Sequence, residues 1–231
     1  MFNRIQKHII MIVAVTMLLL GSTLHAAPFQ NGSFEESPYS SVPTFITLAG
    51  GNTDITGWTV LPGTIDYVGG TWEAQSGTRS IDLNGQNLGG IAQTFDTVIG
   101  DKYRVAFYLA GNPAGPPTIK TLNVDATGGT VQSYTFDTTH STYPTGMGWP
   151  LTPATYEFTA SSVLTTLSFV SASDSSPIKW AGPVLDNVSV TDLGDPPLPG
   201  APNSLPEPTT MLLLGFGFFG LAAQQRRFTT K

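Results

Sequence analysis

The sequence contains no cysteine among its 231 residues, which excludes disulfide bonds, thiolate metal sites and cysteine nucleophiles. Histidine is scarce as well, and only His140 lies outside the first 26 residues. A metal centre built from several histidines is therefore excluded, and a Ser-His-Asp triad could use no other histidine. Stability must come from core size, hydrogen bonds or an oxygen-ligated ion.

Charged residues are also few, at 11% of the chain, and they are distributed unevenly. Residues 27–205 contain five basic and fifteen acidic side chains, which gives this part a net charge of −10. Such a surface repels nucleic acid phosphates, so DNA and RNA are excluded as partners, whereas divalent cations are compatible with it.

The first 26 residues have the order of a secretory signal peptide. Arg4 and Lys7 precede the uncharged apolar run Ile9–Leu20, and Ala26 supplies a small residue at the cleavage position. We therefore predict a signal helix over residues 1–26 and export through the Sec pathway. An uncleaved membrane helix is the alternative.

Residues 27–193 show hardly any helical periodicity. Short strand-like runs separated by turn residues recur instead, and they predict one all-β domain, an antiparallel β-sandwich of the jelly-roll type. The strong alternation of Lys102–Ala110 favours a central strand. Gly128-Gly129 predicts a hairpin between Thr118–Asp125 and Val131–Phe136, and Asn84-Gly85 is a favoured hairpin dipeptide.

The last run, Pro183–Thr191, places a carboxylate among apolar residues. Strand alternation puts Val184, Asp186, Val188 and Val190 on one face. A buried carboxylate needs a cation or a set of hydrogen-bond donors, so Asp186 is expected to have one of the two.

Two loops, Asn112–Pro117 and Thr138–Pro153, are rich in proline or aromatic residues. Aromatic residues on such loops either bind ligand or anchor the loop, and the sequence leaves both open. Trp58 follows Gly57 in a strand-like run and is expected in the core. The predicted ligand-binding residues are Trp72, Trp149, Tyr67 and Asn112.

The C-terminal segment has three parts in a fixed order. A Pro/Gly linker over residues 194–205 precedes Pro206-Glu207-Pro208, the apolar run Met211–Ala223 and the pair Arg226-Arg227. Residues 206–231 resemble the PEP-CTERM sorting signal. The resemblance implies a transmembrane helix, transient anchoring in the inner membrane, and processing by an exosortase-type enzyme. A simple C-terminal anchor is the alternative.

The body of the chain resembles the choice-of-anchor C family, whose domain is galactose-binding-like. The matching segments include Asn31-Gly32-Ser33-Phe34-Glu35, Gly57-Trp58-Thr59-Val60, Ser80-Ile81-Asp82-Leu83-Asn84-Gly85 and Gly182-Pro183-Val184-Leu185-Asp186-Asn187-Val188. In related carbohydrate-binding modules the first acid and the last acid help to hold a structural calcium ion. The resemblance therefore implies a calcium site at Glu35 and Asp186, weakened because Asn187 stands where a second Asp is frequent. Alternatively, Asp186 caps backbone amides or pairs with Arg79.

These features predict an exported, non-catalytic protein of the cell envelope or extracellular matrix that binds polysaccharide. A purely structural surface or biofilm protein is the alternative. A glycosidase using two of Asp54, Asp66, Glu73 and Asp82 is a third possibility, although turn and strand-end roles suit these carboxylates better. No catalytic residue is predicted.

Overall fold

The computed structural model describes residues 28–174 and 178–195. The predicted signal helix and the predicted C-terminal transmembrane helix lie outside these residues. The chain divides into two units between Asp195 and Pro196, and all the described residues belong to the first. Within the described ranges no helix is long and apolar enough to cross a bilayer.

The described residues form eleven strands, most of which alternate between buried and exposed side chains. They are β1 Phe45–Ala49, β2 Thr59–Val60, β3 Thr64–Val68, β4 Ser80–Asp82, β5 Gly90–Asp96, β6 Lys102–Gly111, β7 Ile119–Ala126, β8 Gln132–Asp137, β9 Ala154–Thr159, β10 Leu164–Ser171 and β11 Pro183–Asp192.

The strands pair into two antiparallel sheets. One sheet has six strands in the order β1-β3-β4-β11-β6-β9, and the other has five in the order β2-β5-β10-β7-β8. Side chains from both sheets, among them Ile65, Phe107, Leu122 and Phe169, are fully buried in one shared core. The predicted all-β antiparallel sandwich is confirmed, and Trp58 lies in the core as expected, 2% exposed.

The turn dipeptides gave one correct and one wrong prediction. β7 and β8 form the predicted hairpin, with Ile119 opposite Asp137. The hairpin predicted at Asn84-Gly85 is wrong as a pairing of β4 with β5, because these strands belong to different sheets and the chain crosses between the layers there. An isolated antiparallel bridge between Asn84 and Leu88 nevertheless closes a turn at the dipeptide. β1, which the sequence analysis missed, is an edge strand that pairs only with β3 among the described strands.

A β-bulge in β11 changes which side chains share a face. The pairing with β6 shifts between Asp186 and Ser189, and Asn187 has a φ of 49°. As a result Leu185 and Val188 both reach the main core, whereas Val184 packs into a separate cluster outside the sheet. The prediction that Val184 and Val188 share a face is therefore wrong, because the bulge inserts one residue into the alternation.

The segment that begins the described chain closes against β11. The Val188 amide donates to the Gly32 carbonyl at 2.8 Å, and a Cβ atom on Gly32 would lie only 1.8 Å from the Val188 carbonyl oxygen. Trp58 Nε1 donates to the Asn31 carbonyl at 2.9 Å. Only glycine allows this approach, so the Asn31-Gly32 pair joins the two ends of the domain.

Candidate functional site

Loops cover part of the outer face of the six-stranded sheet. Beneath them Val68, Trp72, Ala110, Met147 and Val184 form a second apolar cluster, against which Trp149 packs. Trp72 Nε1 donates to Ser80 Oγ at 3.0 Å, and Trp149 Nε1 donates to the Glu73 carbonyl at 3.0 Å. Both indole N–H groups are thus satisfied within the protein, and the cluster fixes the loops over the sheet.

A groove of about 600 Å³ lies beside this cluster. Trp72 contributes to its lining together with three half-exposed aromatic side chains, Phe45 (50%), Tyr143 (56%) and Trp180 (44%). Its polar lining consists of Thr47, Asp66, Thr71, Gln86, Asn112 and Lys179. The volume and the mixture of ring faces with a few polar groups suit a small ligand or part of a chain-like one.

Two polar groups of the groove keep hydrogen-bonding capacity for a ligand. Asp66 accepts one hydrogen bond at Oδ1, from Thr47 Oγ1 at 2.6 Å, and burial raises the pKa of its carboxyl group above the usual value. The Thr71 hydroxyl is buried and makes no hydrogen bond with any described residue. An unpaired buried hydroxyl costs free energy, and at Thr71 this cost falls on the wall of the groove.

Behind the groove a fully buried carboxylate organises three segments. Asp82 accepts the Asn84 and Gly182 amides at 2.9 and 3.0 Å, and the Asn112 side-chain amide at 2.8 Å. Burial raises the pKa of Asp82 to about 7, although the three hydrogen-bond donors act to lower it. The groove residue Asn112 is therefore held in place by a group that no ligand can reach.

A buried lysine fastens the loops at the same end. Lys120 is fully buried, and its Nζ donates to the carbonyls of Gly115 and Ala181 at 2.8 Å each. Burial lowers the pKa of Lys120 to about 8, and the charge of Asp82 counteracts this effect. Since Ala181 directly follows Trp180, and a Cβ atom on Gly115 would lie 3.0 Å from the Trp180 ring, Lys120 positions an exposed ring of the groove.

The four predicted ligand-binding residues lie in different environments. Trp72 and Asn112 line the groove, although Asn112 already uses its side-chain amide on Asp82 and on the Ala114 amide. Trp149 anchors a loop and is not part of the lining. Tyr67 is wrong as a ligand contact, because it is fully buried and its hydroxyl donates to the Phe34 carbonyl.

The exposed rings Phe45 and Trp180 are not among the ligand-binding residues predicted from the sequence. Phe45 belongs to β1, the strand that was not predicted, so its exposure could not be anticipated. Trp180 follows the polar stretch Ser175-Ser176-Pro177, and an aromatic residue on such a loop is the signal that could have identified it.

Glu35 and Asp186, the predicted calcium ligands, both bind residues 75–79. Asp186 Oδ2 accepts the Gln75 and Ser76 amides at 2.8 and 3.0 Å, and Oδ1 accepts its neighbouring Asn187 amide at 2.6 Å. Glu35 Oε1 accepts the Thr78 and Arg79 amides at 2.7 Å each. We call this arrangement the acidic clamp.

The acidic clamp matches the alternative in which Asp186 caps backbone amides. Burial raises the pKa of Asp186 to about 7, and the nearby charge of Glu35 adds to the increase. The N–H groups that face these oxygens would oppose a cation, so the donor set in this arrangement does not fit calcium. Within the described residues, no group of three or more Asp, Glu, His or Cys side chains is arranged to hold a metal ion.

The two sheets and the aromatic-rimmed groove define an all-β domain with a ligand-sized site. Residues 27–191 match the family described as "Protein of unknown function (DUF642)", and the chain belongs to that family. Residues 204–227 match the PEP-CTERM protein-sorting motif, which implies export and a membrane-anchored C-terminus before processing.

One curated relative and two solved structures are similar to this chain. Halomucin of Haloquadratum walsbyi is 35% identical over 177 residues, which cover 72% of this chain and only 2% of the relative. A family 35 carbohydrate-binding module from Clostridium thermocellum has a TM-score of 0.42 and 12% identity, covering 63% of this chain and 97% of the module. The corresponding module from Paenibacillus barcinonensis has a TM-score of 0.40 and 21% identity, covering 63% and 98%.

Proposed function

We propose that this chain is an exported, non-catalytic protein that binds polysaccharide in the groove beside Trp72. One observation carries the proposal. Three aromatic rings are about half exposed around a ligand-sized groove, and the buried Thr71 hydroxyl at its wall has no hydrogen-bond partner among the described residues. Isolated exposed rings are ordinary on protein surfaces, whereas rings gathered around polar groups favour recognition of an amphipathic ligand.

Sugars combine the two properties that such a groove can bind. The C–H faces of a pyranose ring are apolar and stack on aromatic side chains, which Tyr143, Trp180 and Phe45 supply at the rim. The hydroxyl groups of the sugar both donate and accept hydrogen bonds. Asp66, which accepts only one hydrogen bond within the protein, is placed to accept one of them.

A binding role explains the carboxylates better than a glycosidase does. Glycoside hydrolysis uses two carboxylates that flank the scissile bond, and Asp66 is the one carboxylate among the described lining residues. Of the other acids considered, Asp82 is fully buried, Asp54 accepts the Tyr39 hydroxyl, and Glu73 accepts the Gly146 and Met147 amides.

The sorting motif gives the cellular setting of the proposal. The resemblance of the tail supports anchoring in the inner membrane, exosortase processing near Pro206-Glu207-Pro208, and delivery to the cell envelope or extracellular matrix. The choice-of-anchor C and galactose-binding-like assignments of residues 27–193 remain part of this proposal. A surface protein that uses the same fold without any ligand is the competing function.

The proposal is tested with a polysaccharide array followed by affinity measurements on Trp180→Ala and Trp149→Ala. Because Trp180 is half exposed in the groove, its removal should weaken binding at least tenfold, about 1.4 kcal/mol, with little change in melting temperature. Trp149→Ala should lower the melting temperature and change affinity much less, because this ring anchors a loop.

Absence of binding to every polysaccharide on the array, with Trp180→Ala indistinguishable from wild type, would establish the ligand-free surface protein instead. Hydrolysis that is abolished by Asp66→Asn would contradict the non-catalytic role.

A further inference from the structure

A second cavity, of about 670 Å³, lies at the end of the sandwich where the described chain starts and finishes. Pro28 and Asp192 both line it, together with the start of β6 at Tyr103 and the start of β10 at Leu164. Asn112, which follows β6, lines the groove. β6 has ten residues, so the cavity and the groove lie at strand ends about 30 Å apart.

Four aliphatic side chains are exposed at this end. Val98 and Ile99 belong to the turn between β5 and β6, Val163 to the turn between β9 and β10, and Leu193 follows β11; their exposures are 57%, 60%, 61% and 41%. The two turns are joined because the Thr97 amide donates to the Val163 carbonyl at 3.0 Å. We call these four residues the apolar tip.

The point where the chain leaves the domain is fixed beside the apolar tip. The Leu193 amide donates to the Lys102 carbonyl at 2.8 Å, and the Lys102 amide donates to the Gly194 carbonyl at 3.0 Å. The match to the sorting motif begins at residue 204, nine residues after Asp195. The apolar run of this signal begins later, at Met211, so sixteen residues of extended chain, at most about 58 Å, separate it from Asp195. Because the chain leaves the domain here, this end is the one tethered to a bilayer that holds the C-terminus.

We propose that the apolar tip contacts the surface of the bilayer that anchors the C-terminus. Branched aliphatic side chains on adjacent turns can enter the boundary between headgroups and acyl chains, as the apolar faces of interfacial helices do. Contact at this end leaves the groove, at the other end of β6, directed away from the membrane. The inference requires the membrane anchor but is independent of what the groove binds.

The charge near the tip selects the kind of lipid. A Cβ atom on Gly100 would lie 3.6 Å from Asp195 Oδ1, which places Asp195 beside Asp101. Burial raises the pKa of Asp101, and the neighbouring Asp195 and Asp192 raise it further. Because these carboxylates repel anionic headgroups, the fitting partner is a zwitterionic surface rather than an anionic one.

The absence of cysteine makes a site-specific test possible. The full chain carrying Ile99→Cys, labelled with an environment-sensitive fluorophore, is reconstituted into phosphatidylcholine vesicles and isolated by flotation, so that every molecule measured is membrane-bound. Thr135→Cys, on the exposed face of the five-stranded sheet, is the matched control. Nitroxide-bearing lipids should quench the label at position 99 at least threefold more than the label at position 135.

Two further measurements complete the test. Adding Val98→Ser and Val163→Ser should reduce quenching at position 99 to the level at position 135, without a change in melting temperature, because all these side chains are exposed. Replacing part of the phosphatidylcholine by phosphatidylglycerol should also reduce it. Equal quenching at the two positions overturns the proposal. A blue shift at position 99 without quenching also overturns it, because a second copy of the chain then covers the tip.

Discussion

Glu35 and Asp186 hold the same short loop from two directions. Glu35 accepts the amides of Thr78 and Arg79, and Asp186 accepts those of Gln75 and Ser76, so four backbone N–H groups of residues 75–79 point at two carboxylates. The acidic clamp thereby links the start of the domain, its last strand and the loop that follows Trp72.

Removing the outer half of the acidic clamp should destabilise the domain measurably. Glu35→Ala deletes two amide hydrogen bonds and one from the Thr78 hydroxyl, and hydrogen bonds to an ionised group are stronger than neutral ones. We expect the free energy of unfolding to fall by about 1–3 kcal/mol in urea titrations. Glu36→Ala is the control, since the Glu36 side chain makes no hydrogen bond with the described residues; equal losses in both variants would contradict the assignment.

Calcium should add little to this arrangement. The carboxylate oxygens of the clamp already accept N–H or O–H groups, which a cation would have to displace. We expect millimolar calcium to change the melting temperature by less than about 2 °C, which corresponds to less than about 1 kcal/mol. A rise of several degrees that is lost in Asp186→Asn would instead support the calcium site implied by the family resemblance.

Lys120 should act on groove geometry as well as on stability. Lys120→Met leaves the Gly115 and Ala181 carbonyls without their donor, and a buried polar group that loses its partner costs about 1–3 kcal/mol. Urea unfolding should show this loss, and the emission of Trp180 should shift in the folded variant. Lys179→Met is the control, because Lys179 lies 4.0 Å from Asp174 at the surface and should change stability by less than about 1 kcal/mol.

The buried carboxylates predict that the domain loses stability as the pH rises from about 4 to 7. The pKa of Asp82 is raised from 3.8 to about 7, so between these values the folded state binds a proton that the unfolded state has released. One such group lowers the free energy of unfolding by about 1.4 kcal/mol per pH unit as the pH rises within this window. Asp186 acts in the same direction.

Asp82→Asn should therefore flatten this pH dependence in urea titrations between pH 4.5 and 7.5. Asp137→Asn is the control, because the pKa of Asp137 is lowered and its titration lies below the window. A wild-type profile that is flat or rises with pH would show that the hydrogen-bond donors outweigh burial at Asp82.

Most of the fold prediction came from the alternation of polar and apolar residues, because an alternation with a period of two residues is a local property of an extended chain. β6 and β7 match the predicted runs Lys102–Ala110 and Thr118–Asp125 within one residue at each end. The bulge at Asn187 could not be predicted from the sequence, because it follows from the pairing between β11 and β6 rather than from the sequence of β11. The wrong hairpin at Asn84-Gly85 has the same origin, because a turn dipeptide does not specify which sheet the next strand joins.

The site was less predictable because it depends on burial. Tyr67 and Trp180 are both aromatic residues next to polar ones, yet the first is fully buried and the second is 44% exposed. Asp186 illustrates the opposite case: an acid in an apolar pattern must find donors, and this expectation could be derived from residue chemistry alone. Which donors it finds, the amides of Gln75 and Ser76, depends on a loop far away in the chain.

The entry and exit points of the domain share one pole, where Pro28 and Asp192 line the same cavity. Modules with this geometry can be spliced into longer polypeptides or repeated in series without disturbing their own folding. The segments that precede and follow each copy then lie at the pole that carries Val98 and Val163. The opposite pole, which carries the groove, stays free in every copy. The domain can thus be reused in longer polypeptides by gene fusion alone.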